Sequence, residues 1–327
     1  MPQTHGLPID PLATNSVLSA VRQAANVLCD RWTLQLLLHA HAGATRFAEL
    51  RERCGCASRL LTARLQMLEE QEVLVRLAYS RRPLRHGYHL TPMGLALFDT
   101  FAALLAWEQR WHPSPQGPGL RLTHISCGAQ AVQPLSLCAS CGQPASVHDV
   151  SLQVQQKELR ERPSRAAAFR RARVGNTSES PQPVPLPHAL AIFGDQWGIE
   201  VLMCAFVRVD AFSGFQAHTG MSTNILADRL ARLTEAGVLR REAGSEGANR
   251  GRYRLTEAGR DLFNVLVCIE AWADHWLRDR TRSPMRLLHA GCGQPLRLAL
   301  HCGHCRQPMR LADVRIQLGT SAPGSGG

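Results

Sequence analysis

Residues 58–94 read SRLLTARLQMLEEQEVLVRLAYSRRPLRHGYHLTPMG, and this stretch decides the fold. Leu61, Leu65 and Leu68 recur on one helical face, which predicts a helix from Arg59 to Glu70 with Ser58 as its N-cap. Val73-Leu74-Val75 and Tyr88-His89-Leu90 predict two short strands. Between them, Arg76 to Gly87 reads as a loop that holds Arg81, Arg82, Pro83, Arg85 and His86 and no acid. Thr91-Pro92 starts another helix, with Thr as N-cap and Pro at the first helical position.

Upstream, Val17, Val21, Ala24, Ala25 and Leu28 predict a first helix, and Trp32, Leu34, Leu37 and Leu38 a second. Phe47 and Leu50 belong to a short helix ending near Gly55. Downstream, Leu95, Phe98, Ala102, Leu105 and Trp111 give one long helix from Thr91 an apolar face. The order is helix, helix, short helix, helix, strand, basic loop, strand, long helix. That is a winged helix-turn-helix, mainly α with small β wings.

The same text is written twice. A constant offset of 165 residues carries Asp30-Arg31-Trp32 onto Asp195-Gln196-Trp197 and Leu61 onto Leu226. It also carries Arg64-Leu65 onto Arg229-Leu230, Tyr88 onto Tyr253, Leu90-Thr91 onto Leu255-Thr256 and Gly94 onto Gly259. Chance does not hold a register through so many large or special residues, so a unit has been duplicated. The expected organisation is a winged helix at 16–112, a Cys/His module at 121–150, and a linker at 151–187 that is first basic and then Pro-rich. A second winged helix at 188–280, a second module at 286–316 and a flexible tail at 317–327 follow. Trp32, Trp107, Trp111, Trp197, Trp272 and Trp276 read as packing residues in preference to base-stacking ones.

The chain has 327 residues, 37 basic against 26 acidic side chains, and a net charge of +11. That balance suits a polyanionic partner such as double-stranded DNA. No N-terminal stretch has a signal-peptide profile and no apolar run approaches a membrane span, so the expected location is cytoplasmic, with no membrane partner. The eleven cysteines are then expected to be reduced thiols.

His124 and Cys127 are followed, after ten residues, by Cys138 and Cys141; His289 and Cys292 are followed by Cys302 and Cys305. Within each repeat, two pairs at this spacing can close a tetrahedron of three thiolates and one imidazole. The expected cofactor is structural zinc, two per chain. The alternatives are a redox-active Cys-x-x-Cys pair or a hairpin that keeps its shape without metal. His301 and His304 flank the second module as substitute ligands. Cys29, Cys54, Cys56, Cys204 and Cys268 read as small buried residues.

Cys29-Asp30-Arg31-Trp32-Thr33-Leu34, Arg46-Phe47-Ala48-Glu49-Leu50-Arg51 and Tyr88-His89-Leu90-Thr91-Pro92-Met93-Gly94 together resemble the HxlR-type winged-helix regulators. The likeness recurs at Tyr253-Arg254-Leu255-Thr256-Glu257-Ala258-Gly259 and covers about 95 residues of each repeat. Many members of that family carry a Cys about thirteen residues before the Trp, whereas Ser19 and Val184 stand there in this chain. The resemblance implies DNA-binding dimers packed through first and last helices, here either as an intramolecular pseudo-dimer or as a homodimer of the whole chain.

In such a fold the second helix of the helix-turn-helix meets base edges. Ser58, Arg59 and Thr62 are the expected contacts in repeat 1, and Thr223 and Asn224 in repeat 2. Arg59 suits guanine and Asn224 adenine. Arg64 and Arg229 are either phosphate contacts or surface arginines; Arg81, Arg82, Arg85, Arg250 and Arg252 are expected phosphate contacts on the wings. The expected function is a sequence-specific transcriptional regulator, not an enzyme, reading an imperfect inverted repeat. The alternative is a protein-interaction or zinc/redox-sensing scaffold with degenerate winged helices.

Overall fold

A computed structural model describes residues 23–114, 119–154, 184–242, 251–277 and 285–318. Repeat 1 contains α1 (described over 23–28), α2 (Arg31–His41), α3 (Phe47–Cys54), α4 (Ser58–Glu70), β1 (Leu74–Arg81), β2 (Leu84–Leu90), α5 (Pro92–Leu95) and α6 (Phe98–Trp111). Three strands follow: β3 (Leu120–His124), β4 (Pro134–Cys138) and β5 (Val150–Val154). Repeat 2 contains α7 (Pro187–Phe193), α8 (Gln196–Phe206), α9 (Phe212–Thr219), α10 (Thr223–Glu235), β6 (Leu239–Glu242), β7 (Arg252–Leu255), α11 (Glu257–Asp261) and α12 (Phe263–Trp276). Its strands are β8 (Met285–His289), β9 (Leu298–Cys302) and β10 (Val314–Leu318).

Local chemistry sets these elements. The Asp30 carboxylate caps α2 by accepting from Thr33 N at 3.0 Å, and Asp195 caps α8 by accepting from Gly198 N at 3.2 Å. Gly55 and Gly220 end α3 and α9 in the left-handed region, both at φ 66°, a conformation that glycine enters without Cβ strain. The chain is thereby turned into α4 and α10. Leu61, Leu65 and Leu68 of α4 are buried, as are Leu226, Leu230 and Leu233 of α10. Each such burial is worth about 1.5–3 kcal/mol, which makes these stripes the main anchor of the two helices. Trp107 and Trp272 lie in the core, in line with packing roles, while Trp276 is partly exposed.

Several expectations need correction. Ser58 is the first residue of α4, and the N-cap is Ala57, which offers no side-chain bond. The long helix is two helices, because the turn after Thr91 closes with Leu97 N donating to Gly94 O before α6 starts. The basic segment of repeat 1 is not a loop but the body of a hairpin: Leu77 pairs with Gly87 and Arg81 with Leu84, leaving only Arg82 and Pro83 at the turn. The pattern hid these strands because Val75, Leu77 and Tyr79, on alternate positions of β1, all face solvent, whereas strand reading relies on one buried face. Arg252 lies on β7, not in the wing loop, while Arg250 falls outside the described residues. The basic stretch 157–173 and residues 319–327 of the tail also fall outside them.

The described chain forms two units that do not coincide with the two repeats. One holds 27–114, 119–135, 184–194 and 300–318, so the winged helix of repeat 1 is joined by α7 and β10 of repeat 2. There Glu108 of α6, a buried carboxylate, accepts from His188 Nδ1 and from Ala189 N, each at 2.7 Å, at the start of α7. The other unit holds 23–26, 136–154, 195–242, 251–277 and 285–299, so the winged helix of repeat 2 is joined by part of α1 and by β5 of repeat 1. Gln196 Nε2 donates to Asn26 Oδ1 at 2.9 Å in that unit.

Candidate functional site

On α4, Ser58, Arg59, Thr62 and Ala63 are exposed while the leucine stripe faces inward, so the expected reading face is presented to solvent. Ser58 Oγ accepts from Arg51 at 3.4 Å, and the Thr62 hydroxyl donates to Ser58 O at 2.9 Å. On α10, Thr223, Asn224, Ala227 and Asp228 are exposed in the same register. Gln216 Nε2 donates to the Thr223 hydroxyl at 3.3 Å. Asp228 puts an acid where repeat 1 has Ala63, and Arg229 and Arg232 pair with it.

The wings differ in charge as well. Arg81, Arg82 and Arg85 are exposed, and neither they nor Arg59 has an ion pair among the described residues. On the wing of repeat 2, Arg240 and Arg254 both pair with Glu242 at 2.8 Å. Arg252 pairs with Asp210, also at 2.8 Å. Three of its guanidinium groups therefore share two carboxylates, while Arg241, also exposed, has no ion pair among the described residues.

Arg64 and Arg229 are committed inward. Arg64 Nε and Nη2 donate to the two oxygens of Asp30 at 2.9 and 3.0 Å, a bidentate bond between the recognition helix and the cap of α2. Arg229 makes the equivalent ion pair with Asp195. Of the two expectations for these residues, the structure shows neither in simple form: each arginine ties its helix to the capping aspartate of the helix before the turn. The partner lies 34 residues away, beyond the reach of helical spacing. The signal was present, because both members of the pair are duplicated at the same offset.

Four knuckles carry the Cys/His ligands. In each, a backbone N–H donates back to the first ligand residue: Gly128 to His124, Gly142 to Cys138, Gly293 to His289 and Arg306 to Cys302. All four donors have positive φ, between 62° and 71°, and Arg306 fills that role without being glycine.

The expected in-repeat groups do not form. His124, Cys127, Cys302 and Cys305 cluster in one unit; Cys138, Cys141, His289 and Cys292 cluster in the other. In each cluster the four donor atoms lie within 4.8 Å of one another. His124 Nδ1 lies 3.3 Å from Cys127 Sγ and 3.4 Å from Cys305 Sγ, and Cys127 and Cys302 Sγ are 3.9 Å apart. The second cluster repeats this, with His289 Nδ1 3.3 Å from Cys141 Sγ and Cys138 and Cys292 Sγ 3.9 Å apart.

The exchange has a backbone cause. β3 pairs along its whole length with β10, from Leu120↔Leu318 to His124↔Val314, and β5 pairs likewise with β8, from Val150↔His289 to Val154↔Met285. Ile125 N donates to Asp313 O and Gly303 N to Gln133 O in one unit; Ala290 N donates to Asp149 O and Ala139 N to Arg297 O in the other. Ligand spacing could not reveal this, because the knuckles of either repeat offer the same donors. Among the other thiols, Cys54, Cys56, Cys204 and Cys268 are buried as expected, and Cys29 is partly exposed.

A helix-turn-helix with a β-hairpin wing, present twice, defines the class of the protein. The family model described as HxlR-like helix-turn-helix matches residues 27–116 and 192–281, more than half of the chain. The chain belongs to that family. It is 36% identical over 132 residues to the HTH-type transcriptional regulator Mb3122 of Mycobacterium bovis, covering 40% of this chain and 83% of the relative. It is equally similar to Rv3095 of Mycobacterium tuberculosis, and 34% identical over 87 residues to YtfH of Escherichia coli, covering 26% of this chain and 69% of that relative. Among the described residues, no helix is long and apolar enough to cross a membrane.

Proposed function

We propose that the protein is a sequence-specific DNA-binding transcriptional regulator in which repeat 1 supplies most of the affinity and readout. The observation that carries this reading is the exposed set Arg59, Arg81, Arg82 and Arg85, without ion pairs among the described residues, on the recognition helix and wing of repeat 1. On the wing of repeat 2, by contrast, Arg240, Arg252 and Arg254 are each paired with Glu242 or Asp210. Repeat 2 adds a weaker contact through Thr223 and Asn224, so the preferred site is an imperfect inverted repeat with unlike halves. Tethering makes the second contact effectively unimolecular, which lets a weak reader contribute.

Each Cys/His cluster holds one zinc ion. Tetrahedral zinc with bonds of about 2.3 Å to sulfur sets neighbouring ligands roughly 3.8 Å apart, close to the separations observed. Three thiolates and an imidazole leave no open position, so zinc serves as a cross-link in both sites.

Selection of sites from random DNA, followed by titration at several salt concentrations, tests the functional reading. Recovery of a two-part motif bound with a steep salt dependence supports it. Absence of binding even at low salt refutes it and leaves a protein-interaction scaffold in its place.

A further inference from the structure

The ligand sets have a property that a self-contained ribbon lacks. Each is half from repeat 1 and half from repeat 2: His124 and Cys127 meet Cys302 and Cys305, while His289 and Cys292 meet Cys138 and Cys141. Members of one set are up to 181 residues apart in the chain. An ion in either cluster is therefore bonded to both repeats. We propose that the two ions are latches between repeats, so that metal loading fastens repeat 1 to repeat 2 and metal loss loosens their hold. The inference rests on the zinc reading given above.

Three further observations support it. The ladders that bring the knuckles together, β3 with β10 and β5 with β8, are only five residues long and two-stranded. Such a pair needs further support in water, and a metal cross-link would add to the support that the buried Leu120 and Leu122 give β3. The knuckle cysteines Cys138 and Cys302 are buried, as are both histidines, so the donors sit where water does not compete well for the ion. Without a cation, three thiols and an imidazole would be held together with little to offset their desolvation. Because a ligand that binds only the assembled state stabilises that state by mass action, zinc is placed to set how firmly the repeats hold each other.

Zinc content of full-length double variants, measured after exposure to a competing chelator that strips three-ligand sites, tests the pairing. C127S/C305S removes two ligands from one cross-repeat site and none from the other, so one chelator-resistant ion is expected per chain. C127S/C141S removes one ligand from each site, so none is expected. In-repeat sites would give the reverse pattern and overturn the proposal while leaving the zinc reading intact. Wild-type protein without zinc would overturn both. The latch itself is tested on the wild-type sequence with a protease site inserted after residue 170. After cleavage, the two fragments should stay associated with zinc present and separate at least roughly tenfold faster once zinc is chelated. An unchanged rate would overturn the latch.

Discussion

The clearest division of labour between two arginines on one helix is that between Arg59 and Arg64. Arg64 is 21% exposed and holds Asp30 through two bonds; Arg59 is exposed and makes no ion pair among the described residues. Arg64→Ala should therefore cost stability, about 1 kcal/mol for a partly exposed bidentate pair, seen as a lower melting temperature by roughly 2–4 °C. It should leave the salt dependence of DNA binding unchanged, because no phosphate contact is lost. Arg59→Ala should do the opposite, with an unchanged melting curve and a loss of about 1–3 kcal/mol on the selected site, together with relaxed preference at one base pair. If Arg64→Ala flattened the salt slope while leaving stability intact, the structural role given to it would be wrong.

At the scale of elements, the join between each recognition helix and its wing turns on one glycine. A Cβ added at Gly94 would overlap Val73 O and lie 2.9 Å from Leu90 Cδ2; one added at Gly259 would overlap Val238 O in the same way. Gly94→Ala should destabilise by about 1–3 kcal/mol, read from chemical denaturation, because backbone must move to admit the methyl group. The wings differ in a testable way too. Arg82→Ala, at the turn of the hairpin, should weaken binding to all DNA sequences alike and reduce the salt slope by about one. Arg252→Ala should change the slope little, since Asp210 already neutralises that side chain. Helix order, leucine stripes and the Thr-capped turns were legible in the sequence because each depends on neighbours within a few residues. The length of the first wing was not, because β1 buries no residue beyond Leu74, and the partner of Arg64 was not, because helical spacing says nothing about contacts between helices.

For the whole molecule, the duplication and the eight Cys and His residues that cluster could be read directly, but their partition into two groups could not. Knuckles with the same donors make two partitions chemically equivalent, and the ladders β3–β10 and β5–β8, with the backbone bonds beside them, choose between them. The same exchange places α7 of repeat 2 against the winged helix of repeat 1, with Glu108 at its start. Parts of the two repeats thus pack together within a single unit of one chain. Light scattering of the free protein should give about 36 kDa, the mass of one chain. A stable mass near twice that value at low micromolar concentration would instead mean that whole chains pair.

The arrangement of the knuckles also constrains how this chain can change over generations. A single repeat has one His/Cys knuckle and one Cys/Cys knuckle, so two separate copies of it hold the same complement of ligands as the full chain. Fusion of two such copies converts a bond between equals into a bond between parts that can drift independently, and the two repeats do differ, with Asp228 where Ala63 stands and with acid-paired arginines on the second wing. Yet neither half can be discarded, since its loss would leave the other with two half-built sites and unmatched thiols. Freedom to diverge in reading and inability to separate therefore come from one and the same exchange.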